Sequence, residues 1–496
     1  MKAIRYGLLG LAALALVLVL AVLVRGLTWK APAYGEARAA LAPPVAIDEA
    51  RAAARLGEAI RFRTVSHQDP ALNRWEEWDR FHAWLANTYP AAHRAMTRET
   101  VAGHTLVYTW PGADPALPPL ILMAHQDVVP VVEETRAAWT RAPFSGEVAQ
   151  GAVWGRGAMD DKGSLIALME ATEALAAGGF QPRRTVLFVF GHDEEAGGSG
   201  ARAAAALLAE RGVKPLFVLD EGGLGLTADP LNGRPMAMIA TAEKGYATLR
   251  LTARGPGGHS SAPPDQTAVH ALARAVDRIA SAPFPKRFDG PGAETVRALS
   301  AEAALPQRMV IANDWLFGGL LTRIVGESPA GAALLHTTIA PTMLQGSPKE
   351  NVLPERATAL INYRIHPRDR MAGVMARARR AVGDLPVELA WVEGAAEASP
   401  VASTSSPAWD VLAALARASL DAPPVPGLLS GATDGRAMNR LTPQVYRFLP
   451  IMVTPAELES FHGVNERLST ENLNRAAGFY ARLIATTAGD LRTPGE

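Results

Sequence analysis

Cysteine is absent from this 496-residue chain, and neither sign of charge predominates. Without cysteine there is no disulfide and no thiol chemistry, so any metal must bind through His, Asp or Glu. Such ligands suit zinc, cobalt or manganese. The 49 Lys and Arg residues balance 49 Asp and Glu residues, so no overall field attracts a polyanion. We therefore expect no nucleic-acid partner.

Phosphate-binding motifs and internal repeats are also missing. No glycine-rich stretch follows G-x-G-x-x-G or G-x-x-x-x-G-K-S/T, which argues against a nucleotide-binding protein. No repeat or low-complexity tract appears beyond an apolar run near the N-terminus. The length then predicts two or three ordinary domains.

The apolar run covers Gly7 to Val24, with basic residues on both sides. It is uncharged and about long enough to span a bilayer. A cleaved signal peptide usually has a shorter apolar centre followed directly by a small-x-small site, and the only candidate here, Ala31-Pro32-Ala33, comes later. We favour an uncleaved anchor over residues 1–30, a linker over residues 31–44 and an extracytoplasmic catalytic part. Cleavage is the alternative.

The most informative stretch is residues 185–200, TVLFVFGHDEEAGGSG. Its β-branched and aromatic start predicts a strand buried on both faces of a parallel sheet. Glu194 and Glu195 follow at the carboxyl end, where ligands bind in open α/β sheets. Neighbouring glutamates repel unless a cation or a shared proton compensates, so the loop predicts a metal site. A solvated acidic loop is the alternative.

Two more predicted strands end in polar loops. Leu120 to Ala124 stops at His125-Gln126-Asp127, and Leu216 to Leu219 stops at Asp220-Glu221. Helical patterns between the strands predict a doubly wound, mostly parallel sheet. Each loop alone has an ordinary structural explanation, such as a turn or a helix cap. Together with Asp160, which precedes a predicted helix, and His462 near the C-terminus, they supply two histidines and three carboxylates, a set that suits two metal ions sharing one carboxylate: His125, Asp160, Glu195, Asp220 and His462.

The pattern changes after about residue 245. Tyr246 to Ala253 alternates like a half-exposed strand. Further strand-like runs cover residues 357–365 and 387–392, with a helical pattern over 371–382 between them. An apolar segment over 310–338 predicts core, an interface or an apolar substrate wall.

These patterns predict a catalytic domain interrupted by an insertion. The inserted α+β domain is predicted over residues 246–400. The catalytic domain then consists of residues 45–245 and 401–490.

The strings HQDVVP, WGRGAMDDKG, GHDEEAGGSG, VLDEGG, GGHSSAPP and FHGVNE resemble the co-catalytic zinc aminoacylase and carboxypeptidase family. The resemblance covers about residues 45–490 and is closest to the carboxypeptidase S and N-fatty-acyl-amino-acid synthase/hydrolase branch. It implies two zinc ions per subunit, with cobalt or manganese as substitutes. It also implies that the inserted domain is a lid and a homodimer surface.

The resemblance further implies a role for each motif residue. His125 would bind one zinc ion, Asp160 would bridge, Glu195 and Asp220 would bind one ion each, and His462 would complete the second site. Glu221 is the alternative to Asp220. Glu194 would be the general base and Asp127 would orient His125. The substrate-binding residues would be His259, Asn351 and Arg364.

The sequence thus predicts a membrane-anchored di-zinc amidohydrolase that cleaves a peptide or an N-acyl-amino acid next to a free carboxylate. The rival interpretation is a non-catalytic receptor or scaffold that retains the fold. The complete ligand set, together with Glu194, argues against the rival, because such a protein could lose any of these residues without unfolding.

Overall fold

The structure is a computed structural model that describes residues 2–35 and 40–489. Residues 36–39 of the predicted linker lie outside the described part. The chain divides into two compact units. We call Tyr34–Ala242 with Pro400–Glu496 the large unit, and Met1–Ala33 with Glu243–Ser399 the small unit.

The described residues form sixteen α-helices. Their bounds are α1 Lys2–Leu27, α2 Glu49–Ile60, α3 Trp75–Thr88, α4 Pro90–Ala95, α5 Lys162–Ala177, α6 Ser199–Glu210, α7 Ala268–Ala280, α8 Gly290–Leu299, α9 Leu305–Ala312, α10 Asp314–Val325, α11 Pro329–Ala333, α12 Met371–Val382, α13 Pro407–Leu420, α14 Gly435–Met438, α15 Pro455–Leu458 and α16 Thr470–Ala488.

The described residues also form seventeen strands. They are β1 Thr97–Val101, β2 Thr105–Trp110, β3 Leu120–His125, β4 Glu147–Ala149, β5 Ala152–Trp154, β6 Val186–Gly191, β7 Phe217–Leu226, β8 Met236–Glu243, β9 Gly245–Arg254, β10 Gly258–His259, β11 Thr338–Gln345, β12 Val352–Leu353, β13 Arg356–Ile365, β14 Val387–Trp391, β15 Pro424–Leu429, β16 Val445–Val453 and β17 Arg467–Ser469.

The large unit is built on an eight-stranded sheet of order β1-β2-β6-β3-β7-β16-β8-β15. The central strands β6, β3, β7 and β16 pair in parallel, as predicted. β1 and β2 continue the sheet in antiparallel pairing on one side, and β8 pairs antiparallel with β16 on the other. The sheet is therefore mixed rather than mostly parallel.

Helices cover both faces of this sheet, which explains the unbroken apolar runs of the central strands. Phe188 and Phe190 of β6 belong to the core cluster that includes residues of α2, α5 and α16. Leu187 and Val189 point the other way, into a second cluster with α6. This alternation follows from the two-residue period of a strand.

The small unit contains a four-stranded antiparallel sheet of order β11-β13-β9-β14. The two inner strands, β9 and β13, alternate buried and less buried residues, and α7 and α12 cover the buried face. The helix predicted over 371–382 is confirmed as α12. The apolar segment 310–338 forms α10 and its neighbours, and Leu321 is the only buried residue of α10.

The N-terminal helix α1 belongs to the small unit. Residues Ile4–Leu27 are long and apolar enough to cross a membrane, and they are the only described segment that meets this test. Val22 is half-buried and Gly26 is buried, whereas the other side chains from residue 4 to residue 27 are exposed.

Candidate metal centre

Two of the predicted ligands, His125 and Glu195, lie at the carboxyl end of a strand of the eight-stranded sheet or in the loop that follows it, and Asp220 lies in β7 directly after the residues that pair with β3. β3 pairs in parallel with β6 and with β7, and His125 at the end of β3 is in register with Gly191 of β6. The loop with Glu194 and Glu195 starts directly after Gly191. Carboxyl ends of parallel strands meet at one edge, so these side chains lie close together.

Asp160 stands between the two histidines. Its Oδ1 atom lies 2.9 Å from Nε2 of His125, and its Oδ2 atom lies 2.9 Å from Nε2 of His462. Nε2 of His462 also lies 3.0 Å from Oε1 of Glu195. One carboxylate thus faces two separate groups of ligand atoms, as a bridging ligand must.

Two groups of potential ligands result, and each has its atoms within 4.8 Å of one another. The first contains His125, Asp160 and Glu221, and the second contains Asp160, Glu195 and His462. Asp160 is common to both.

Glu221 rather than Asp220 is in the first group, the reverse of the preference drawn from the sequence. Both carboxylate oxygens of Asp220 accept backbone hydrogen bonds, one from Glu221 at 3.0 Å and the other from Gly435 at 2.5 Å. Asp220 therefore connects the loops, and its neighbour Glu221 contributes an oxygen to the first group of potential ligand atoms.

Asp127 connects the loops of β3 and β6. Its carboxylate accepts hydrogen bonds from the backbone N–H groups of Glu194 and Glu195, both at 3.1 Å, and from the Ser66 hydroxyl at 2.6 Å. The Nδ1 atom of His125 lies 3.0 Å from the backbone carbonyl oxygen of Asp127 and 3.4 Å from its Oδ1 atom. A proton on Nδ1 leaves the lone pair of Nε2 directed at Asp160, the arrangement that metal-binding histidines usually have.

The pKa values of the two histidines show that the site favours positive charge. Burial acts to lower the pKa of His125, but hydrogen bonds with Asp127 and Asp160 outweigh it and raise that pKa well above the usual range. Hydrogen bonds with Asp160 and Glu195 raise the pKa of His462 to about 10. In the metal-free protein, protons on the two rings compensate part of the carboxylate charge.

The pKa values of the neighbouring glutamates also indicate that the site favours a bound cation. Burial raises the pKa of Glu221 and of Glu194 well above the usual range, and neighbouring carboxylates add to the shift. Burial likewise raises the pKa of Glu195. Divalent cations resolve such repulsion, and a donor set of imidazoles and carboxylates suits zinc. The side chains present fit a pair of metal ions.

A buried ion pair positions the loops that carry Asp160 and His462. Nη1 of Arg156 lies 2.7 Å from Oε2 of Glu466, and both side chains are buried. Oε1 of Glu466 accepts from the backbone N–H groups of Gly157, Met159 and Asp160. Nη2 of Arg156 donates to the carbonyl of His462, whose φ of 57° is unfavourable for a non-glycine residue. Sequence reasoning quoted both motifs but gave neither residue a role.

The predicted substrate-binding residues lie in the small unit. His259 of β10 pairs with Val352, and its Nδ1 atom lies 2.8 Å from the Ser261 hydroxyl. The carbonyl of Asn351 accepts from Ser260 at 3.1 Å, while its side-chain Oδ1 is buried without a partner. The guanidinium of Arg364 lies 4.7 Å from the ring centre of Tyr246.

Comparison of the sequence with protein families gives a match over residues 121–486 to peptidase family M20/M25/M40. A probable carboxypeptidase S-like 2 of Dictyostelium discoideum is 34% identical, over 88% of this chain and 85% of the relative. The N-fatty-acyl-amino acid synthase/hydrolase of Xenopus tropicalis is 35% identical, over 87% of this chain and 85% of the relative.

Solved structures resemble the fold as well. A metallo-carboxypeptidase of the M20 family from Sulfolobus solfataricus has a TM-score of 0.64 at 19% identity, and the match covers 88% of this chain and 98% of that one. Human carnosine dipeptidase 1 has a TM-score of 0.63 at 15% identity, with 89% and 96% covered.

Proposed function

Because this chain belongs to peptidase family M20/M25/M40, we propose that it is a di-zinc hydrolase of an amide bond next to a free carboxylate. Its relatives include carboxypeptidase S of Saccharomyces cerevisiae and N-fatty-acyl-amino acid synthase/hydrolases. The substrate is accordingly a small peptide or an N-acyl-amino acid. The observation that carries the proposal is Asp160, whose two oxygens face two different histidines at 2.9 Å.

Five side chains would hold the metal ions. His125 and Glu221 would bind one ion, Glu195 and His462 would bind the other, and Asp160 would bridge them. When bound, zinc would supply Lewis-acid polarisation of the amide carbonyl and would lower the pKa of water. Asp127 would hold the tautomer of His125 that such binding requires, through its backbone carbonyl at 3.0 Å and its carboxylate at 3.4 Å from Nδ1.

Glu194 would move the proton. Its backbone N–H is fixed by Asp127, and its side chain has no place in either ligand group. Burial and the adjacent carboxylates raise its pKa, which brings a glutamate towards the range useful to a general base. The carboxylate would accept a proton from the attacking water and return it to the leaving nitrogen.

Substrate recognition is proposed for three residues of the small unit. Arg364 would bind the substrate carboxylate through its fixed fork of donors. Asn351 would donate to or accept from the substrate amide, and its unpartnered Oδ1 is consistent with such a role. His259 would stabilise the oxyanion that develops in the transition state.

The helix α1 would anchor the protein in a membrane, with the remainder of the chain on the extracytoplasmic side. Its length and exposed apolar surface support this proposal. The small unit would also make the homodimer contacts, as the resemblance to the zinc aminoacylase and carboxypeptidase family implies.

The experiment for the proposed function is a panel of dipeptides and N-acyl-amino acids, each with its carboxyl-amidated counterpart. Hydrolysis should be confined to the free acids, should stop on treatment with a chelator and should return with zinc. A protein that binds zinc but hydrolyses no member of the panel would favour the receptor or scaffold interpretation.

A further inference from the structure

Helix α10 presents an apolar side to its surroundings. Trp315, Leu316, Leu320 and Ile324 are exposed by 57%, 42%, 44% and 51%, and Leu321 is the only buried residue of the helix. Leu316, Leu320 and Ile324 are four residues apart and lie on one face. A surface helix of a soluble protein normally turns its polar face outward.

The start of α10 is attached to the C-terminal end of α1. The side-chain amide of Asn313, directly before α10, donates to the carbonyl of Val22 at 3.1 Å. Nε of Arg25 donates to the carbonyl of Ala312 at 2.6 Å. A Cβ added to Gly26 would lie 2.0 Å from Sδ of Met309, so this glycine permits close contact with α9.

These contacts determine the position along α1 at which α10 begins. Val22 precedes Leu27, the last residue of α1, by five positions, which is about 8 Å of helix at 1.5 Å per residue. The start of α10 therefore lies beside the last apolar turn of α1. In a spanning helix this turn is at the boundary between hydrocarbon and head groups.

The charges of α10 also suit that boundary. Its acidic residue, Asp314, is paired with Arg297 at 2.7 Å. Its basic residue, Arg323, has a long side chain that can place its charge among lipid head groups while its stem stays with the apolar face. Trp29, after the end of α1, donates to Ser300 at 2.9 Å, and tryptophan is typical of membrane interfaces.

We infer that the apolar face of α10 lies in the interfacial layer of the same bilayer that α1 spans. This inference rests on the anchor assigned to α1 under the proposed function. Lipid is the occupant because the start of α10 is hydrogen-bonded to the end of α1, whose side chains from residue 4 to residue 21 are all exposed and apolar apart from Arg5 and Tyr6. The small unit then rests on the membrane through an in-plane helix as well as through the anchor.

The absence of cysteine allows a direct test on the full-length chain. Leu320→Cys gives a single site for an environment-sensitive fluorophore. Ala372→Cys, at an exposed position of α12, is the matched control in the same unit, and Leu14→Cys reports on α1. Each labelled protein is reconstituted into phosphatidylcholine vesicles with and without lipids that carry a quencher at head-group depth or deep in the acyl chain.

The label at position 320 should be quenched severalfold more by the shallow quencher than the label at position 372. The label at position 14 should respond to the deep quencher. If position 14 responds and position 320 behaves like position 372, the inference about α10 is wrong and the anchor stands. If position 14 does not respond, the anchor itself is wrong and the inference falls with it.

Two further results would separate lipid from protein contact. A blue-shifted label at position 320 that neither lipid quencher reaches would show that a second copy covers the face, which would overturn the inference. Gly26→Leu, combined with the label at position 320, should disturb the contact with α9 and reduce the shallow quenching. An unchanged signal would overturn the inference, because the level of α10 depends on that contact.

Discussion

The Asp127 carboxylate accepts a hydrogen bond from the backbone N–H of Glu194 at 3.1 Å, and so connects the loop of the proposed base to the strand that ends at His125. Nδ1 of His125 lies 3.0 Å from the backbone carbonyl of Asp127 and 3.4 Å from its carboxylate. One buried residue thereby positions a proposed metal ligand and the proposed proton acceptor.

Asp127→Asn should therefore disturb the positions of His125, the proposed metal ligand, and of Glu194, the proposed base. The amide has a single acceptor oxygen for the two backbone N–H groups of Glu194 and Glu195, so one of these hydrogen bonds is lost. We expect about 10–100-fold weaker zinc binding, the usual cost of losing a residue that orients a ligand. Zinc titration with a competing chelator measures this. Ser66→Ala is the control, since it removes one hydrogen bond to Asp127 and keeps the charge; an equal loss in both variants would contradict the positioning role.

Glu466→Gln tests the support of Asp160 and His462. Breaking a buried ion pair typically costs about 3–5 kcal/mol of unfolding free energy. Urea unfolding of the zinc-free protein should show this loss, and zinc affinity should fall because the Asp160 loop is no longer fixed. Glu133→Gln is the control, because it breaks an exposed pair with Arg136 and should cost less than about 1 kcal/mol. Normal stability with normal zinc affinity would show that Glu466 does not support Asp160 and His462.

Arg364→Ala tests recognition of the substrate carboxylate. Losing one partner of a desolvated charge pair costs about 2–5 kcal/mol, so kcat/KM on free-acid substrates should fall accordingly. The variant should also lose the preference for acids over amides. Arg254→Ala serves as control, since Arg254 makes an exposed pair with Glu388 in the same sheet. Unchanged discrimination between acids and amides would show that Arg364 has another role.

Removal of zinc should make stability depend on pH. The pKa of His462 is raised to about 10 in the folded protein, and the pKa values of Glu194 and Glu221 are raised by burial. A group whose pKa is raised by folding stabilises below its unfolded pKa and loses that contribution as the pH rises to the folded pKa. For His462 this window extends from about pH 6.5 to about 10.

The gain in Tm on adding zinc should consequently grow between about pH 6.5 and 9, because zinc replaces protons at the site. Differential scanning calorimetry with and without chelator at several pH values measures this gain, and the difference cancels buried groups that are not ligands, such as Lys162 and Lys244, whose pKa values burial lowers to about 7. A gain in Tm that stays constant or shrinks as the pH rises would contradict the electrostatic description of the site.

The central strands and the loops that follow them were predictable because their signal is local. A six-residue apolar run followed by polar residues, as at Val186–Gly191, has few structural alternatives. The local signal is equally clear in helix α3, Trp75–Thr88, where Trp78, Phe81 and Leu85 recur at helical spacing. The antiparallel outer strands were not predicted, because strand direction depends on pairing that the local pattern does not contain.

The choice between Asp220 and Glu221 could not be made from sequence. Neighbouring residues of a strand point to opposite sides, and β7 continues to Leu226 instead of ending at Leu219. Which side chain faces His125 depends on contacts such as that of Asp220 with Gly435, 215 residues away.

The role of Glu466 was hidden for the same reason, because its partner Arg156 lies 310 residues away. The exposure of α10 could likewise not be predicted from the sequence, because an apolar segment has the same sequence pattern in a core and at a surface.

The central claim is that Asp160 joins two zinc sites and that Glu194 moves the proton beside them. The measurement is zinc content per chain together with kcat for the native protein, Glu194→Gln and Glu221→Gln. The account predicts two zinc ions in the native protein and in Glu194→Gln, with kcat of the latter lower by about 10²–10⁴-fold. It predicts weakened zinc binding in Glu221→Gln. Retention of two ions in Glu221→Gln together with loss of zinc from Glu194→Gln, or full activity of both variants, would contradict it.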